Sequence, residues 1–174
     1  MNRLLLMLLL AIATLWTLPA HAALPYEESL KQLAEGVIAD AIKTKRGRLA
    51  VLDFTDAKGT VTPIGQFLAE ELSTQMLVAG EITIVDRTML GSTVKKFHIT
   101  QFEPAQAHAV KQAAKAVRAD VFVSGSYLES PEGFRVTVKL LNPSTVQSLG
   151  AHVARFLKLA RWLNSSRRRI SRLL

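Results

Sequence analysis

The sequence predicts an α/β (α+β) fold: a mixed β-sheet of about five strands flanked by helices, ending in a C-terminal antiparallel meander. Three observations lead there. From Tyr26 to Val121, segments with a helical repeat of apolar residues alternate with short apolar runs. After Val121, strand-like runs are separated only by the turn sequences Ser130-Pro-Glu-Gly133 and Asn142-Pro-Ser-Thr145. The 174 residues contain no cysteine, so an apolar core rather than a disulfide framework must hold the domain.

Tyr26, Leu30, Leu33, Val37 and Ala41 recur at helical spacing, with Ala34 and Ile38 beside them, and predict a helix over residues 25–43. The run Leu49-Ala-Val-Leu-Asp-Phe54 suits a buried strand, and residues 55–60 read as a polar loop. Thr62 is placed to cap the next helix, and Pro63 takes its first position, where the missing N–H costs nothing. Ile64, Phe67, Leu68, Leu72, Met76 and Ala79 form its apolar stripe, and Gly80 supplies the stop. Ile82-Thr-Ile-Val-Asp86 follows as a second strand, which makes a parallel crossover the natural connection.

A weaker helix is expected over residues 87–97, and Pro104 is placed to open the alanine-rich helix over residues 105–118. Val121-Phe-Val-Ser-Gly-Ser-Tyr127 reads as a third strand, whose Gly125 permits close packing. Phe134, Val136, Val138 and Leu140 alternate with Arg135, Thr137 and Lys139, the period of a half-exposed strand. Residues 146–156 return as the last strand, and Phe67, Phe102 and Phe122 are expected in the core.

Hydrophobicity and charge both concentrate at the ends. Of the first 22 residues, 16 are hydrophobic, in the order basic start, apolar run over residues 4–18, then Pro19-Ala20-His21-Ala22. Residues 1–22 therefore read as a secretory signal peptide cleaved after Ala22. A retained N-terminal anchor is the alternative, but the run falls short of the roughly 20 residues that a helical span needs. The formal charge of +8 is equally local, because residues 23–150 hold 14 basic and 14 acidic side chains. The excess sits in Arg3 and in a terminal stretch with Arg155, Lys158, Arg161, Arg167, Arg168, Arg169 and Arg172 and no acid. An exported chain with a neutral body excludes a cytoplasmic nucleic-acid partner, and a cationic end points to an anionic surface. The chain thus divides into a signal peptide (residues 1–22), an α/β domain (23–157) and a basic amphipathic tail (158–174). Within the tail, Arg161, Trp162, Arg167, Arg168 and Arg169 are the candidate contacts to an anionic surface, with the indole at headgroup level. For its first half, packing on the sheet as a final helix is the preferred reading, and for residues 165–174 plain disorder stands beside surface contact.

Catalytic patterns are missing. His98, His108 and His152 lack zinc-ligand spacing, no phosphate-cradling glycine loop is present, and Ser124-Gly-Ser126 lies inside a strand rather than on a nucleophile elbow. No metal and no cofactor is expected. Asp53 and Asp56 are the best acid pair, at the carboxyl end of the first strand, where open α/β sheets place their sites. With Lys58 close by and no third acid, they read as loop chemistry: Asp53 ordering the backbone, and Asp56-Ala-Lys-Gly as a turn. Asp53, Asp56 and Lys58 form the candidate interaction loop. Asp86-Arg87 reads as a local ion pair or a helix cap.

The ordered segments Leu49-Ala-Val-Leu-Asp-Phe-Thr-Asp56, Thr62-Pro-Ile-Gly-Gln-Phe-Leu-Ala-Glu-Glu-Leu-Ser-Thr-Gln75 and Ile84-Val-Asp-Arg87 resemble the FlgO-domain family. Ala119-Asp-Val-Phe-Val-Ser-Gly-Ser-Tyr127 and Val136-Thr-Val-Lys-Leu-Leu-Asn-Pro-Ser-Thr145 continue the likeness, which extends to CsgG-type and LpoB-type envelope proteins. The resemblance implies an α/β domain similar to the N-terminal domain of TolB. It also implies a non-enzymatic role in the periplasm, peripheral to the outer membrane, with envelope or flagellar proteins as partners. FlgO-type members are associated with flagellar stability and motility, LpoB-type members activate peptidoglycan synthases, and CsgG-type members form a curli secretion channel. Two departures stand out. The chain has no cysteine to carry the lipid common in these groups, and its connections leave no room for membrane-crossing hairpins of roughly 9–11 residues per strand. The expectation is a FlgO-like docking protein, with an LpoB-like activator or an accessory to a CsgG-type system as alternatives.

Overall fold

A computed structural model describes residues 26–99 and 102–157. In chain order the elements are α1 (Tyr26–Lys43), β1 (Arg48–Val51), α2 (Pro63–Ala79), β2 (Thr83–Ile84) and α3 (Arg87–Lys96). A 3-10 turn (Pro104–Gln106), α4 (Ala107–Val117), β3 (Val121–Ser130), β4 (Gly133–Leu141) and β5 (Ser148–Leu157) follow. The strands form a five-stranded sheet in the order β2-β1-β3-β4-β5. β2 and β3 run parallel to β1, and β3, β4 and β5 form the antiparallel meander.

The alternation of side chains along the strands splits the core in two. Leu49 and Val51 of β1, Val121 and Val123 of β3, and Val136, Val138 and Leu140 of β4 face α1 and α2. Ala50 and Phe122, with Leu52 and Leu141, face α3 and α4. Helices therefore cover both faces of the parallel half. Among the described residues only the α1 side of β4 and β5 is covered, and Arg135, Lys139, Val153 and Arg155 on the other side are exposed.

The caps read from sequence are in place. Thr62 Oγ1 accepts from Gly65 N at 3.1 Å, and Gly80 ends α2 in the left-handed conformation at φ 73°. The stripe of α2 is rotated from the expected one. Leu68, Leu72 and Met76 are buried as predicted, but Gly65, Ala69 and Ser73 join them while Phe67 is half-buried and Ala79 exposed. The cause is close approach at the first turn, where a Cβ on Gly65 would stand 1.9 Å from the Phe54 carbonyl oxygen. The helix thus turns its smallest residues to the chain beneath it. Of the three phenylalanines expected in the core, Phe122 is fully buried, whereas Phe102 and Phe67 are only partly so.

Three strands are shorter than their apolar runs, and β2 keeps only Thr83 and Ile84 of residues 82–86. β1 stops at Val51, yet the chain keeps following β3 through Leu52 N to Val123 O at 2.9 Å and Thr55 N to Gly125 O at 3.0 Å. This places the Phe54 ring over Gly125, where a Cβ would lie 2.4 Å from the ring. β5 begins at Ser148, because Asn142 closes a turn first: its Oδ1 accepts from Ser144 N at 2.9 Å, and its backbone N donates to Gln147 O at 2.9 Å. Val146 sits in that turn with φ 58° and a buried side chain.

Candidate functional site

Open α/β sheets gather side chains at the carboxyl ends of their parallel strands. Here a cleft of about 390 Å³ opens at the end of β1, between the loop of residues 55–61 and α3. Its walls are mostly apolar, from Val51, Leu52, Val61, Leu90, Val94 and Phe102, with Asp53, Thr55, Arg87, Glu103 and Ser124 as polar members.

Arg87, the first residue of α3, is the hub. Its Nη2 pairs with Asp53 Oδ1, its Nε with Glu70 Oε2 at 2.9 Å, and its Nη1 donates to Val51 O at 3.3 Å. One guanidinium thus ties the end of β1 to α2 and α3. Its five donors suit such a multi-element tie. This differs from the reading of Asp53 as a backbone organiser and of Asp86-Arg87 as a local pair. Asp86 does cap α3, accepting from Met89 N at 2.8 Å, but Arg87 pairs across 34 residues rather than with its neighbour.

Asp56 behaves as turn chemistry. Its Oδ1 accepts from Lys58 N at 2.8 Å and Thr60 N at 2.9 Å, and its backbone N donates to Thr60 O at 2.9 Å. Thr55 bridges to both Val61 and Ser126, so the loop is stitched to the sheet. Of the candidate interaction loop, Asp56 and Lys58 sit together on that exposed turn, while Asp53 turns into the arginine cluster. Glu70 was not legible as a member, because nothing local links a mid-helix glutamate to residue 53 or 87. The basic contacts proposed at Arg161, Trp162, Arg167, Arg168 and Arg169 lie outside the described residues.

A second polar pair joins α1 to β5. His152 Nε2 lies 2.8 Å from Asp40 Oδ2, and Gly36 and Gly150 make the room, since a Cβ on either would collide with His152 or Asp40 respectively. Among the described residues no group of three or more histidines, aspartates or glutamates could hold a metal ion, and no helix is long and apolar enough to cross a membrane.

Fold and cleft together define an α+β domain whose most conspicuous ion cluster serves as a scaffold tie. The chain belongs to the FlgO family: the model of the FlgO protein matches residues 31–158. Its fold is similar to the LpoB C-terminal domain from Salmonella enterica, with a TM-score of 0.57 at 14% identity, covering 74% of this chain and 96% of that one. Escherichia coli LpoB, solved by NMR, matches with a TM-score of 0.56 at 14% identity, covering 79% of this chain and 72% of that one. No curated protein matches the chain.

Proposed function

We propose that the protein is a non-catalytic, exported envelope protein that supports a flagellum or another surface structure through protein–protein contacts. The family match over residues 31–158 carries this reading. The cleft supports it, because its arginine is committed to two carboxylates and a carbonyl instead of being presented to a substrate. Docking would use the edge strand β5 and the stitched loop of Asp56 and Lys58, with the basic tail adding peripheral contact to an anionic surface. Its place would be the periplasm, peripheral to the outer membrane and without a lipid anchor.

The likeness to LpoB favours a second reading, in which the domain binds and activates a cell-wall synthase. Deletion of the gene separates the two. Lost motility with unchanged peptidoglycan synthesis supports the first, and the reverse outcome supports the second. A turnover that Asp53→Asn abolishes would overturn the non-catalytic reading itself.

A further inference from the structure

The neutral body is not neutral on each side. α1 and α2, which cover one face of the sheet, carry six acidic side chains and two basic ones, Lys31 and Lys43. α3 and α4, on the other face, carry no acid at all. Setting aside the committed Arg87, they present Lys95, Lys96, Lys111 and Lys115 to solvent.

The open face of the meander lies on that same side and has the same sign. In register across β3, β4 and β5 its rows are Ser124–Lys139–Ala151, Ser126–Thr137–Val153 and Leu128–Arg135–Arg155. No carboxylate occurs in them. Arg135 and Arg155 are directly opposite each other, a like-charge arrangement that costs stability and that a bound anion would relieve. Among the described residues no ion pair engages either arginine or Lys139. Leu128 and Val153 are half-exposed among them. The carboxylates at the borders are Asp86, which caps α3, Glu103, Glu129 beside Leu128 on β3, Glu132 at the β3–β4 turn, and Asp120, which already accepts from Arg48 N at 3.0 Å.

Two features say what covers this side. Beyond residue 157 the sequence adds six more basic residues and no acid, so this end of the chain carries charge of the same sign. A second copy would bring the same sign. An occupant must also reach two helices and a sheet face at once, which suits an extended surface better than one acidic segment. We propose that the α3–α4 side, with Arg135, Lys139 and Arg155 on the open sheet face, rests on an anionic lipid bilayer, leaving the acidic α1–α2 side to face away. This extends the peripheral contact proposed for the tail to a defined face of the domain, and it holds or fails independently of the motility result.

The test is co-sedimentation of the protein, purified from cells that export it, with phosphatidylcholine vesicles with and without phosphatidylglycerol. Each cation near an anionic bilayer is worth about fivefold in partitioning at low salt. Lys111→Gln/Lys115→Gln/Arg135→Gln/Arg155→Gln should lower binding to the anionic vesicles by more than about tenfold, less so as salt rises. Lys31→Gln/Lys43→Gln should leave it unchanged. The chain has no cysteine, so a polarity-sensitive label at Ala116→Cys on α4 should respond to the vesicles, while one at Thr74→Cys, exposed on α2, should not. Undiminished binding of the fourfold variant, equal loss from the Lys31/Lys43 control, or equal response of both labels would overturn the proposal. Capture of poly-glutamate without vesicle binding would overturn it in favour of an acidic protein partner.

Discussion

At the scale of single residues, the fold depends on places where a side chain is absent. Helix propensity alone favours alanine over glycine by about 1 kcal/mol. At Gly65 the opposite sign is expected, because the new Cβ meets a backbone oxygen that cannot swing aside. Gly65→Ala should cost about 3 kcal/mol, at the upper end for overpacking, and chemical denaturation would show it as a lowered midpoint. Gly125→Ala presses on the ring of Phe54, a buried but rotatable neighbour, and should cost less. Thr62 has two roles, capping α2 and meeting Tyr127 Oη at 2.7 Å. Thr62→Ala should therefore lose about 1–2 kcal/mol, with Thr62→Ser largely restoring the cap; equal losses in both would refute the capping account. The cap and the packing role of Gly125 were readable because they depend on neighbours in sequence or on strand geometry. Gly65 was not, since its constraint comes from Phe54, eleven positions away and on another element.

At the scale of elements, local signals placed most boundaries and mistook a few faces. Of the residues its spacing named, α1 buries Leu30, Leu33, Val37 and Ala41 and leaves Tyr26 partly buried, because a three- and four-residue apolar repeat permits only one buried face. α4 ends at Arg118 in the left-handed conformation, φ 56°, with Ala119 N donating to Ala114 O at 2.8 Å. Glycine is the usual residue there. Arg118→Gly should stabilise the protein by about 0.5–1 kcal/mol, the relief of strain outweighing added freedom in the unfolded chain, visible as a higher melting temperature. An unchanged or lower value would mean that the arginine side chain holds this end of α4. The start of β5 slipped from 146 to 148 for a related reason. Buried Val146 is apolar enough to pass for a strand residue, but the Asn142 turn requires a positive φ at that point, which no apolar pattern announces.

At the scale of the whole molecule, the sheet grades from a thin edge to a thick centre. β2 has only two residues and borders the sheet, whereas β3 pairs along its length with β4. Backbone amides of Thr83 and Ile84 should therefore exchange with solvent much faster than those of Val123 and Val138 in hydrogen-exchange measurements. Uniform protection would contradict that gradient. The charge layout predicts a trade-off as well. Arg135→Glu converts the Arg135–Arg155 repulsion into an attractive cross-strand pair and should raise stability by about 0.2–1 kcal/mol, while weakening attachment to anionic vesicles. A variant that gains both, or loses both, would break the link between the unpaired arginines and the bilayer. The sequence by itself determined the order of elements, the caps of α2, the buried stripes of α1 and β4, the family and the cationic tail, because each is written in neighbouring residues or in a repeat along the chain. Only the tertiary structure decided that Asp53, Glu70 and Arg87 form one cluster and that a balanced body presents an acidic side and a basic side. Both depend on which face of the sheet each helix takes, and that is set by strand order and crossovers, which bring together residues that no local pattern connects.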